Sequence, residues 1–205
     1  MDYKKLTIRS ISSIVMLSMM FFSTLNINIL MFSILTIYII IIIEGFFFFE
    51  KKKYLIIIYI FLSLLFIEYY LFNYYNFENF LLFIFLIISF DTYSYLFGTF
   101  LGKKKIAPNI SPNKTFEGFF YGYILTIITF LFILYYFKLN FNIKILFFSN
   151  LILLFSFVGD LTESYFKRLS NIKNSSYFIP GHGGFFDRFD GFLFSVFLLP
   201  IWGQL

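Results

Sequence analysis

The chain has 205 residues, of which 60% are hydrophobic and only 13% charged, against about 25% charged in soluble domains. That composition excludes a water-soluble globule and points to the bilayer. The absence of cysteine excludes disulfides and thiolate metal sites, and the formal net charge of +5 must be carried by the segments between apolar runs.

The 36 Phe and 16 Tyr stand against a single alanine, Ala107, which points to a genome favouring A/T-rich codons. Under such a bias a lone Phe, Ile or Lys says little. A retained Gly, Arg, Asp, His or Pro says more.

A membrane helix needs roughly 20 mainly apolar residues. The expected spans, in chain order, are 8–25, 27–43, 54–72, 79–98, 117–137, 143–161 and 185–202. The first resembles a secretory signal in carrying Lys4, Lys5 and Arg9, but no small-residue cleavage site follows, so it is read as a helix. Its boundary with the second lies near Asn26 and Asn28. The expectation is therefore an all-α polytopic membrane protein with about seven transmembrane helices, one integral domain over 1–205.

Orientation follows from the basic residues, which concentrate in cytoplasmic segments. With the N-terminus inside, fourteen of the 16 Lys and Arg fall on one side and only Lys138 and Lys144 on the other. The 44–53, 99–116 and 162–184 loops then face the cytoplasm, and seven spans leave the C-terminus outside.

Two of these loops, with the helix ends beside them, hold most of the unusual chemistry. In "DTYSYLFGTFLGKKKIAPNISPNKTFEG", residues 91–118, Asp91 lies inside an apolar span, where a carboxylate costs a few kcal/mol and usually has a partner or a task. Gly98 and Gly102 suit a tight turn before Lys103 to Lys105. "SPNKTFEG" sets Ser111, Lys114 and Glu117 at the expected start of the fifth helix, whose free N–H groups suit phosphate. The plainer readings are basic-inside bias for the lysine triplet, an Asp91 that snorkels, and a cap formed by Thr115 or Ser111 with Glu117 in the first turn. Capping and phosphate binding are compatible.

The second loop runs from Gly159 and Asp160 through Glu163, Ser164, Lys167, Arg168 and Lys173 to "PGHGGFFDRFDG", residues 180–191. Asp187 and Asp190 are three apart and share a face of a helix starting near Phe185. The glycines at 181, 183 and 184 allow positive φ and close approach of backbone to a ligand. Carboxylates supply hard oxygen ligands for a magnesium ion, while Lys, Arg and backbone N–H groups hold phosphate oxygens. Singly these features have plain explanations: His182 as a loop residue, Arg188 and Asp190 as an ion pair, the glycines as an ordinary loop. Their gathering on one membrane face does not.

The stretch "SYFKRLSNIKNSSYFIPGHGGFFDRFD", residues 164–190, closely resembles the signature of the phosphatidate cytidylyltransferase (CDP-diacylglycerol synthase) family. Ser164, Lys167, Arg168, Lys173, Pro180, His182, Gly183, Gly184, Asp187, Arg188 and Asp190 match in register. "GTFLGKKKIAPNISPNKTFEG" is similar to a second family loop, so the resemblance covers about 90–205, while 1–89 reads as generic hydrophobic helices. One position departs: Asn174 stands where the family has Asp. The chain is also short for the family, whose members usually carry additional N-terminal membrane helices.

The resemblance implies the reaction of CTP with phosphatidate to give CDP-diacylglycerol and diphosphate, in phospholipid biosynthesis. It implies Mg2+ held by Asp160 and Asp187, with a monovalent cation such as K+ as a possible companion and Asp190 and Glu163 in support. Lys167, Arg168 and Arg188 become candidates for the triphosphate or the lipid phosphate, and Ser111, Lys114, Ser164, Lys173, His182, Gly183 and Gly184 for substrate binding. A homodimer in the inner (plasma) membrane is implied, with the active site at the cytoplasmic interface and no nucleic-acid partner. Three other readings fit parts of the pattern: a CTP-dependent polyprenol kinase, a transporter using Asp91, and a non-catalytic membrane subunit.

Overall fold

The computed structural model describes residues 18, 22–179 and 183–205. Five of its helices are long and apolar enough to cross a bilayer: α1 (Ile27–Phe47), α2 (Lys53–Asn73), α3 (Phe77–Leu101), α4 (Phe116–Tyr136) and α5 (Ile143–Leu169). At 1.5 Å per residue, 21 residues reach about 30 Å, the depth of the hydrocarbon core. Helix is what these sequences must form there, because each backbone N–H and C=O has to be satisfied within its own segment. The chain is a multi-pass, mainly helical membrane protein. Most of the first expected span, 8–25, lies outside the described residues.

The uncertain boundary near Asn26 is settled by a cap. The Asn26 side chain accepts the Asn28 N–H at 2.9 Å and opens α1. Asn76 does the same for α3 with Asn79 N–H at 3.0 Å, and Asn142 for α5 with Ile145 N–H at 2.7 Å. Each side chain supplies an acceptor for one of the N–H groups that a helix start leaves unpaired.

Helices α3 and α4 cross at their glycines. A Cβ at Gly118 would sit 2.6 Å from the Ser94 carbonyl oxygen and 2.8 Å from Gly98 Cα, and one at Gly122 would sit 2.8 Å from Ser94 Cα. This is the small-residue contact that lets membrane helices approach closely where lipid provides no hydrophobic drive. Gly98 therefore serves the helix crossing from inside α3. The expected tight turn at Gly98 and Gly102 is not formed, and only Gly102 lies at the helix end.

Between α3 and α4 the chain forms a hairpin, which adds a small sheet to the all-α expectation. Strand β1 (Lys105–Ala107) pairs antiparallel with β2 (Ser111–Thr115), with Lys105 opposite Thr115 and Ala107 opposite Ser111. Pro108 and Asn109 make the turn, closed by Ile110 N–H on the Ala107 carbonyl at 3.1 Å, with proline where a type I or II turn favours it. An open two-stranded edge is not tolerated in hydrocarbon, so the hairpin marks an end of the bundle outside the lipid core.

Helix α5 continues through Leu169, well past the expected limit at 161. Hydropathy marks where the bilayer ends, and a helix need not end with it. Glu163 and Lys167 pair at i,i+4, and Lys167 and Arg168 occupy the last turn, where cations suit the helix dipole. Residues 162–169 of the expected 162–184 loop thus stand on helix.

The expected last span, 185–202, is interrupted. It comprises α6 (Phe186–Ser195), a 3-10 turn (Val196–Leu198) and α7 (Leu199–Trp202). Pro200 has no N–H to give Val196 and its ring crowds that carbonyl; Leu199 N–H bonds Val196 instead. The segment runs through the core, with Leu193, Val196 and Leu199 fully buried. Its start meets Glu44 at the end of α1 (Phe186 N–H to Oε2, 2.8 Å), and its end meets the start of α3 (Trp202 Nε1–H to the Asn79 carbonyl, 2.8 Å).

Candidate active site

The hairpin, the ends of α1 and α5, residues 170–179 and 183–185 and the start of α6 come together at one end of the bundle. Thr115 caps α4, its Oγ1 accepting Gly118 N–H at 3.1 Å. Glu117 in the first turn reaches back to the Lys103 N–H at 2.9 Å and the Lys104 N–H at 3.1 Å. "SPNKTFEG" is thus a capping motif, and Lys114, one residue before the cap on β2, reaches α5. There Lys114 forms an ion pair with Asp160, its Nζ 4.7 Å from the centre of the Phe157 ring one turn earlier. Ser164 Oγ lies 3.4 Å from the other Asp160 oxygen.

A second ionic group stands one to two turns further along α5. Lys167 Nζ lies 2.5 Å from Glu163 Oε2 and 2.7 Å from Asp187 Oδ1. All three side chains are nearly enclosed, with Glu163 only 1% exposed. A buried carboxylate without a cation is costly, and here one lysine serves two. Asp187 Oδ2 accepts Ser175 N–H at 2.9 Å, Ser175 Oγ–H at 3.1 Å and Gly184 N–H at 2.9 Å.

Asp190, one turn beyond Asp187, accepts Gly191 N–H at 2.7 Å and interacts electrostatically with Asp160, Asp91 and Lys114. Asp91, at an exposed position on α3, lies within electrostatic range of Asp160, Lys114 and Arg188. Close packing explains the neighbourhood. A Cβ at Gly159 would lie 2.6 Å from the Asp190 carbonyl oxygen, so α5 and α6 approach at the position next to both aspartates. Asp91, Asp160, Glu163, Asp187 and Asp190 thus bring more carboxyl groups, which are hard oxygen donors, than there are cations in Lys114, Lys167 and Arg188 to meet them.

The remaining candidates divide. Arg168 is turned to the hairpin, donating Nε–H to the Ile110 carbonyl at 3.1 Å and Nη1–H to the Ile172 carbonyl at 3.4 Å. Arg188 is exposed in the first turn of α6, Lys173 is exposed on the loop, and Ser111 is half-buried at the start of β2. Gly183 has φ +87, a conformation costly for any residue with a side chain, and its carbonyl accepts Ile179 N–H at 2.8 Å. Asn174 is half-buried beside it. His182, with Pro180 and Gly181, lies outside the described residues.

One participant was missed in the sequence. Glu44, from the half of the chain read as generic helices, is fully buried and accepts hydrogen bonds from Ser175, Ser176, Phe185 and Phe186. The available signal was a carboxylate closing the apolar run "IIIIIEG", residues 39–45, where a charge needs a partner as much as Asp91 does.

Relatives carry similar sequences. The chain is 49% identical over 125 residues to phosphatidate cytidylyltransferase of Staphylococcus aureus (strain COL), covering 60% of this chain and 48% of that protein. It is 45% identical over 125 residues to the protein of that name from Staphylococcus haemolyticus (strain JCSC1435), with the same coverage. The chain thus spans about half the length of the curated relatives it matches. A model of the cytidylyltransferase family matches residues 5–204, nearly the whole sequence and both ionic groups with it, and the chain belongs to that family.

Proposed function

We propose that the protein is a phosphatidate cytidylyltransferase, converting CTP and phosphatidate to CDP-diacylglycerol and diphosphate in phospholipid biosynthesis. The observation that carries this reading is the convergence of Lys114 with Asp160, and of Lys167 with Glu163 and Asp187, at the hairpin end of a bundle of membrane helices. A lipid whose acyl chains remain in the bilayer presents its phosphate at that depth, and water-soluble CTP reaches the same level from outside. The similarity to the staphylococcal enzymes supports the same assignment.

In this reaction a phosphate oxygen of phosphatidate attacks the α-phosphorus of CTP in line. One P–O bond forms, the bond to the β-phosphate bridge breaks, and diphosphate leaves with the electron pair. Phosphatidate is already an anion near neutral pH, so no general base is required. The task is alignment and charge stabilisation. Lys114 and Lys167 each bring an ammonium to that task, and Arg188 lies at the exposed rim.

The donor set suits Mg2+, which is commonly held by one or two carboxylates together with substrate phosphates and water. Among the described residues no three carboxylates or histidines form a ready cage. Asp160 and Asp187 would hold the ion, with Asp190 and Glu163 in support, and a monovalent cation such as K+ is a compatible companion. Bound there, the ion would offset negative charge on the reacting phosphates. The distribution of lysine and arginine supports a cytoplasmic N-terminus and hairpin end, and the location proposed is the cell's inner (plasma) membrane. Seven spans and a homodimer complete the proposal.

The deciding experiment is turnover by purified protein supplied with CTP, phosphatidate and Mg2+, with both products measured. Diphosphate and CDP-diacylglycerol in equal amounts are expected, and Asp187→Asn should abolish both. Release of CDP with a phosphorylated lipid would identify a kinase instead. No turnover by the wild type would overturn the assignment.

A further inference from the structure

Helix α6 begins with Phe185 and Phe186, neither of which can cap it. The first N–H groups of a helix need acceptors, and here a distant residue supplies them. Glu44 Oε1 accepts Phe185 N–H at 2.9 Å and Ser176 Oγ–H at 2.6 Å. Glu44 Oε2 accepts Phe186 N–H at 2.8 Å and lies 3.0 Å from Ser175 Oγ. The carboxylate is fully buried, and the N-terminal end of a helix is a favourable place for its charge.

These contacts fasten two separate stretches, 175–176 and 185–186, to one side chain. The same stretches, with the adjoining Gly184, hold Asp187. Ser175 Oγ lies between the two carboxylates, 3.0 Å from Glu44 and 3.1 Å from Asp187. A hydroxyl has one proton to donate, so the two acids share it. Gly184 shows how closely the arrangement is fitted, since a Cβ there would lie 2.6 Å from Glu44 Oε1 and 2.7 Å from Oε2. The second glycine of the "HGG" run leaves room for Glu44.

We infer that Glu44 is the positioning residue for Asp187: it ties residues 175–176 to residues 185–186 and sets, through Ser175 and Gly184, the place from which Asp187 acts. The effect on turnover rests on the proposed cytidylyl transfer. The effect on the segment does not.

Hydrogen–deuterium exchange of the full chain in one detergent, for wild type, Glu44→Gln and Ser176→Ala, tests the inference. Loss of a charged acceptor for two backbone amides should speed exchange in peptides covering 173–187 by about tenfold or more in Glu44→Gln. Ser176→Ala, which keeps the charge, should give a smaller increase in the same peptides. In both variants α3 and α4 should exchange as in the wild type. In the turnover assay Glu44→Gln should lower kcat by about 10- to 100-fold with KM for CTP within about twofold of wild type. Unchanged exchange at 173–187 in Glu44→Gln would overturn the inference, as would equal loosening of α3 and α4 or an unchanged kcat in an active wild-type background. An inactive wild type would refute the proposed function and leave the exchange result to decide the place of Glu44. Should Glu44→Gln fail to fold, Ser176→Ala decides alone: faster exchange confined to 173–187 supports the inference, and wild-type exchange there overturns it.

Discussion

Lys114 on the hairpin and Asp160 on α5 are joined in an ion pair with side chains only 20% and 23% exposed, and this contact brings the two polar loops of the sequence into one site. Replacing Lys114 by Met removes the pair and the contact with Phe157. Turnover should fall by about 100-fold, the usual cost of losing one charged donor to a transition state, and stability by roughly 1–3 kcal/mol, between the values for exposed and buried pairs. Product formation and thermal unfolding in detergent measure the two effects. Full activity in Lys114→Met would remove the residue from the reaction.

Lys167 is the shared cationic partner of two enclosed acids, so Lys167→Met should destabilise the protein by about 3–5 kcal/mol. Adding Asp187→Asn to that variant removes one uncompensated charge and should restore part of the loss. Additive destabilisation in the double variant would show that Lys167 contributes by packing alone.

Arg168 holds the hairpin tip through the Ile110 carbonyl and the loop through the Ile172 carbonyl. Lysine cannot serve both from one planar group. Arg168→Lys should therefore expose residues 103–115 to limited proteolysis. Wild-type resistance combined with weakened CTP binding would instead make Arg168 a phosphate ligand.

Asn174→Asp installs the acid carried by the signature it resembles, next to Ser175, whose N–H and hydroxyl hold Asp187. Activity should be equal to or above wild type, with half-saturation at the same or a lower Mg2+ concentration. A large loss would show that the surroundings are built around the neutral amide.

Gly122→Val places branched carbon where Ser94 Cα and N already lie within 2.8 Å of a Cβ. Overpacking of this kind costs about 1–3 kcal/mol, and more where backbone must yield. Thermal unfolding should register it, and an unchanged midpoint would mean that the crossing is looser than the glycines imply.

Much was legible in the sequence because the bilayer enforces it. Apolar length alone located α1 to α4 to within a few residues, since a backbone in hydrocarbon has no alternative to helix. The same argument misjudged α5 and the last segment. Hydropathy ended α5 at the membrane edge, whereas ion pairing carries the helix on to Leu169, and Pro200 breaks the last run where composition showed only an apolar stretch. The cap at Thr115 was local and therefore readable, whereas Asn26 was read only as a boundary and Asn142 was not singled out.

The candidate residues on the two loops were chosen by chemical type and by their order in the motif, which the sequence determines. Which acid meets which base it does not determine, because partners such as Lys114 and Asp160, or Glu44 and Ser175, are far apart in the chain and are joined only by how helices cross. Gly98, Gly118 and Gly122 set one crossing and Gly159 another, at separations that a single methyl group would change. Gly184, with no side chain, leaves room for Glu44 of an apolar helix beside the residues that hold Asp187, and Arg168 meets the hairpin at the Ile110 carbonyl. The sequence by itself determined the membrane class, the helices and the chemistry available; the packing of those helices decided the pairings, because a charge in a dry interior must find its partner in space.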